Sequence, residues 1–177
     1  MAITASVSYP AMTSLLAKVP CYEDYRSEDE AALAERIYRR ALGAVLKKCG
    51  DHLLSVIERR SQILSSEQEK LISGLVDRIA RIFRRLDREG IVCLVGDCAA
   101  TIAELQELDT RLIMLVEEAL GLVHNLGPEL PANAWFKSDA GRLSHDLDSF
   151  SQMTEERNYL LGLGWESEFQ WPGRSSS

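Results

Sequence analysis

The sequence predicts an all-α fold: an antiparallel bundle of four to five long amphipathic helices forming a single domain. Three observations predict it. Apolar residues recur every three or four positions through most of residues 27–161, which is the spacing that lines one face of an α-helix. Ser, Asp and Gly stand where those periods begin and end, as helix caps do. Only residues 91–96 (IVCLVG) have strand-like composition, and they have no second candidate to pair with.

The chain divides into an N-terminal arm (1–26), a helical bundle (27–161) and an aromatic C-terminal tail (162–177). In the arm, Pro10 is tolerated in a first helical turn and Pro20 ends one, so a short helix fits between them. The first long helix opens at Ser27, whose hydroxyl can cap free N–H groups. Glu28, Asp29 and Glu30 follow at the positive helix end. Leu33, Ile37, Ala41, Val45 and Cys49 then recur every four residues. Gly50 after Lys47 and Lys48 resembles a stop signal, yet Leu53, Val56, Ile57 and Leu64 keep the helical period. The apolar face rotates past the glycine, which favours a bend there over one helix running to about residue 64.

The second long helix is the clearest. Ser66 and Glu69 have capping-box spacing, and Leu71, Ile72, Leu75, Val76, Ile79, Ile82, Phe83 and Leu86 make one stripe closed by Gly90. Residues 91–96 read as a buried connection. The third helix starts at the N-cap Asp97 and runs to Leu126, before Gly127-Pro128. Its apolar residues, from Ile102 and Leu105 to Leu120 and Val123, cover an arc of roughly 160°, enough for two neighbours; this predicts the central helix. A loop over 127–138 carries Trp135-Phe136. The fourth helix follows from Ser138 or Asp139 to about Leu161 on Leu143, Leu147, Phe150 and Leu161. Short links between helices favour antiparallel neighbours.

Charge is unevenly spread. The net value is −7, but residues 26–90 carry 14 Lys/Arg against 11 Asp/Glu, and residues 91–177 carry 5 against 14. The first twenty residues lack the basic start and unbroken apolar core of a secretory signal. No window has the roughly 18–20 uncharged apolar residues that span a bilayer. Four irregularly spaced cysteines (Cys21, Cys49, Cys93, Cys98) do not read as a disulfide framework. The expected setting is the cytoplasm, with no membrane partner.

No constellation carrying chemistry stands out. His52, His124 and His145 are scattered, and Cys93 and Cys98 lack zinc-knuckle spacing. No glycine-rich phosphate loop follows a strand. The sequence therefore predicts no catalytic residue, no metal ligand and no cofactor, and a protein that is not an enzyme.

Two surfaces could meet a partner. Arg78, Arg81, Arg85 and Arg88 share one face of the second helix, away from its apolar stripe. Such a row can meet phosphates or an acidic partner, sit solvated with local pairs such as Asp77–Arg81, or dock on the acidic half of its own chain. The aromatic tail offers Trp165, Phe169 and Trp171, which can fold back on the bundle or anchor a partner. The expected function is a non-enzymatic protein–protein interaction module: an adaptor, a chaperone-like bundle or a small subunit of a larger assembly. Self-association falls within that class. The alternative is a small nucleic-acid-binding subunit using the arginine row.

Overall fold

The computed structural model describes residues 9–87, 92–127 and 133–163. Helix α1 spans Pro10–Leu16, followed by a 3-10 turn at Tyr22–Arg26. Helix α2 spans Glu28–Arg60, α3 Ser66–Leu86, α4 Cys98–His124 and α5 Ala140–Leu160. The all-α bundle expected from periodicity is what forms, with no strand among the described residues.

The four long helices close a ring in the order α2, α3, α5, α4. Helix α2 runs alongside α4 in the same direction, since Glu35 and Asp109 both accept from Arg157 at one end and His52 reaches Leu126 at the other. Likewise Arg78 meets Ser144 while Arg85 meets Ser151, so α3 and α5 are parallel. Successive helices still alternate in direction, and α3 and α4 stand diagonally opposite in the ring. Helix α2 is the central element: it packs against α1, the 3-10 turn, α3 and α4. The expectation that residues 97–126 form the central helix is therefore corrected, although α4 does lie between two neighbours, α2 and α5.

Helix α2 is continuous through Gly50, against the expected bend. That glycine is buried against α3, where a Cβ would meet Ile79 Cγ2 at 3.4 Å, so it permits close approach instead of ending the helix. The early stripe also turns out differently. Leu33 and Ile37 are 54% and 44% exposed, while Ala31, Glu35 and Tyr38 point inward. Ser27 stands at the N-cap without a side-chain cap bond. The capping box of α3 is built one residue earlier than expected, from Ser65 and Gln68. Asp97 caps α4 as expected, accepting from the Ala100 N–H at 3.0 Å.

Residues 92–95 carry no regular secondary structure and seal one end of the bundle. Cys93 N–H donates to Leu161 O and Val95 N–H donates to Leu160 O, both at 3.0 Å. Val92 packs with Tyr25, Ala31, Leu105, Leu161 and Leu163. Helix α5 ends in a Schellman motif, with Leu163 N–H donating to Asn158 O and Gly162 N–H donating to Tyr159 O. Gly162 sits at φ +71 with Cys93 O 2.5 Å from where its Cβ would lie, so the sealing strap and the helix stop both require glycine here.

The expected loop at 127–138 is partly helical. A π turn at Trp135–Asp139 leads directly into α5, and the buried Trp135 donates its indole N–H to Leu122 O at 2.8 Å. Burial of this ring and its hydrogen bond hold the segment helical. The N-terminal arm docks through Met12 and Leu15 on the α2 core. Gly90 and the tail residues Trp165, Phe169 and Trp171 lie outside the described residues.

Two glycines separate these roles. Gly162→Ala adds a left-handed non-glycine residue and a backbone clash, and should cost at least about 2 kcal/mol in urea unfolding. Gly74→Ala, in the open on α3 with nothing within 4 Å of its Cβ position, should instead stabilise by about 0.5–1 kcal/mol. Equal effects in the two variants would contradict this assignment.

Candidate functional site: a buried charge cluster and two open clefts

The inward turn of α2 near Glu35 is explained by what it meets. Arg157, on the apolar face of α5, is fully enclosed and donates in three directions. Its Nε and Nη2 form a fork on Asp109 of α4 at 2.7 and 3.2 Å. Its Nη1 reaches Glu35 Oε2 at 2.5 Å, and Nη2 reaches Tyr25 Oη at 3.1 Å. Its guanidinium also lies over the Tyr38 ring, 5.1 Å from the centroid. Arg39 Nε donates to Glu35 Oε2 at 2.8 Å and its Nη2 to Asn158 Oδ1 at 2.6 Å. Tyr25 hydrogen-bonds Glu35, and Tyr22 donates to Asp109 Oδ2 at 2.9 Å.

Two guanidiniums and two carboxylates thus neutralise each other inside the bundle. Isolated, each would be prohibitive to bury, so the pairing is what makes the arrangement tolerable. Burial alone would raise the Glu35 carboxyl, but Arg157, Arg39 and the Tyr25 hydroxyl hold it down at about 2. For Arg157, burial works against the charge, and Glu35 and Asp109 overcome it and keep the guanidinium ionised. Burial pushes the Tyr22, Tyr25 and Tyr38 hydroxyls upward, so all three stay protonated. With each of its four charged side chains engaged in salt bridges or hydrogen bonds, the cluster is built for cohesion, although the Tyr38 hydroxyl, Arg39 Nη1 and the Asn158 amide nitrogen are buried without a hydrogen-bond partner among the described residues. A nucleophile or general base needs a reactive, approachable group, and this cluster offers none.

Sequence reasoning missed this cluster, although a signal existed. Thr154 and Arg157 fill the gap in the α5 stripe between Phe150 and Leu161, and Asp109 falls beside Leu105, Leu108 and Leu112. Charged residues at core positions were the sign.

Among the described residues no three His, Cys, Asp or Glu side chains gather closely enough to hold a metal ion. The His52 and His124 rings stack at 5.9 Å, with Tyr9 against His124, while His145 is exposed on α5. Burial pushes the Cys49 thiol up to about 12, far from a reactive thiolate. No helix among the described residues is long and apolar enough to cross a membrane.

The arginine row is brought against α5. Arg78 Nη1 donates to Ser144 Oγ at 2.7 Å and pairs with Asp148 at 2.8 Å, and Arg85 Nη1 donates to Ser151 Oγ at 2.6 Å. Arg81 is exposed beside them, and Arg88 lies outside the described residues. Arg78, Arg81 and Arg85 line a cleft of about 200 Å³ between α3 and α5. On the other flank of α3, a groove of about 280 Å³ separates it from α2. Gly50, Leu54, Val76, Ile79, Ala80 and Phe83 line it, with Lys47, Asp51 and Arg84 on the rim. The groove follows from the glycines of α2: Phe83 lies over Gly43, its ring 3.1 Å from where a Cβ would be.

The cluster sets the pH response. The depressed Glu35 carboxyl contributes stability above the unfolded carboxylate range, lost as pH falls from about 5 toward 2. The raised tyrosines make the unfolded chain lose protons first above about pH 10, so stability also falls there. Urea unfolding across pH should give a plateau between, with an acid limb on the order of a few kcal/mol. Glu35→Gln should lower the plateau and flatten that limb; an acid limb unchanged by the substitution would contradict the assignment.

No protein family, curated protein or solved structure matches the chain.

Proposed function

We propose that this chain is a non-enzymatic protein–protein interaction module, an adaptor or small subunit of a larger cytoplasmic assembly, whose partner docks in the groove between α2 and α3. The observation that carries the reading is the groove itself. Leu54 and Phe83 remain 43% and 42% exposed on its two walls, among other apolar side chains and a thin charged rim. An amphipathic helix laid in such a groove places its apolar face on Leu54, Val76 and Phe83. Completing the burial of a leucine and a phenylalanine contributes up to about 1.5–3 kcal/mol each, before the costs of association. The buried ion cluster supports the same reading from the opposite side, because its groups are committed to one another and leave the surfaces as the place to act.

The nucleic-acid alternative has less support. Two of the four arginines it relies on are engaged by α5, and the whole chain is acidic at −7.

A photo-crosslinking amino acid placed at Phe83, and separately at Met114, tests the reading in the source cell. Met114 is 63% exposed on α4, away from the groove, and serves as the comparison. Position 83 should capture a discrete polypeptide that position 114 does not, and Val76→Asp in the groove wall should abolish the adduct. A groove without a discrete adduct, or one equally captured at position 114, would overturn the assignment.

A further inference from the structure

The cleft on the other flank of α3 has a different chemistry. Arg78, Arg81 and Arg85 follow one another at positions i, i+3 and i+7, so their guanidiniums line one wall, with Asp148 and Ser151 opposite and Ile82 and Leu147 at the base. Three cations face one carboxylate in a chain whose net charge is −7. Arg78 is held by Asp148 and Ser144, and Arg85 is bonded to Ser151. Arg81 makes no hydrogen bond or ion pair among the described residues. Arg81 is therefore the available fork-shaped donor of the cleft.

We propose that this cleft binds a single dianionic phosphoryl group, as inorganic phosphate or as a phosphomonoester. Arg81 is its first ligand, Arg78 and Arg85 add donors from either side, and Asp148 competes with it for Arg78. Guanidinium forks match phosphate oxygens with two parallel N–H donors, which favours a phosphoryl group over a spherical anion such as chloride. The Ser151 hydroxyl accepts from Arg85 and keeps its own proton to donate to the bound oxygen. Apolar Ile82 and Leu147 at the base exclude part of the competing water. A cleft of about 200 Å³ suits one such group. The acidic remainder of the surface disfavours a long polyanion laid across it.

The test follows the arginine Nε–H resonances by NMR while inorganic phosphate, N-acetyl-phosphoserine amide or a short single-stranded oligonucleotide is titrated at constant ionic strength. Saturable shifts confined to Arg78, Arg81 and Arg85 are expected for phosphate or the phosphomonoester, and the tighter of the two identifies the source of the group. Arg81→Gln should weaken binding by about tenfold or more, the loss of one charge-assisted hydrogen bond. Asp148→Asn, which removes the competitor, should tighten it several-fold. Non-saturating shifts spread over all surface arginines, binding unchanged in Arg81→Gln, or weaker binding in Asp148→Asn would overturn the proposal. An oligonucleotide that binds more tightly than either small ligand would replace it with a nucleic-acid site.

Discussion

Arg157 is the residue on which the rest of the structure depends. Its guanidinium joins α5 to Asp109 of α4, to Glu35 of α2 and to Tyr25 of the preceding turn, within the end of the bundle that residues 92–95 seal. Apolar faces attract without direction, so leucine stripes alone would allow the helices to slide or exchange neighbours. A bidentate fork does not slide. Removing one partner from a buried pair of this kind typically costs about 3–5 kcal/mol, because the other charge is left without compensation. Replacing the whole cluster by apolar residues can be neutral, so its value lies in selecting one arrangement more than in adding stability.

That constraint explains features that otherwise look like errors of design. Leu33 and Ile37 face outward because the same two turns of α2 must present Glu35, Tyr38 and Arg39 inward. Helix α2 continues through Gly50 because the glycine faces α3 and lets the two helices approach, and the same close approach opens a groove beside Leu54 and Phe83. The charge asymmetry between the halves of the chain also finds its place. Arg78 from the basic half meets Asp148 in the acidic half, and the buried pair between Glu35 of the first half and Arg157 of the second joins the minority charge of each.

Helix number, type and direction were legible in the sequence, because 3.6-residue periodicity, the N-cap at Asp97 and the proline in the first turn of α1 report local physics. The N-terminus of α3 was legible to within one residue, since Ser65-Ser66 offers two hydroxyls and Gln68 and Glu69 two partners. The bend at Gly50 was a misreading of a local signal that a tertiary contact overrides. The ring order of the helices was not legible, because it rests on contacts between residues far apart in sequence, such as those of Arg157 with Asp109 and Glu35, 48 and 122 residues away. Of the arginine row, Arg78, Arg81 and Arg85 line one flank of α3 and Arg78 meets Asp148 of the acidic half, as one of the three readings had it; which arginines are engaged depends on the α3–α5 register. The apolar groove was hidden for the opposite reason. Val76 and Phe83 belong to the same stripe as Ile79 and Ile82, and periodicity does not tell a covered wall from an open one.

The most direct test is the state of the Arg157 side chain in solution. Its Nε–H should give a resolved NMR resonance, protected from solvent exchange, with cross-peaks to Tyr25 and Tyr38 that persist in high salt, as expected for a pair shielded from counterions. An averaged, rapidly exchanging Arg157 signal at the position of a solvated arginine would mean that the charges are not locked together, and the selection of helix neighbours by this cluster would fall with them.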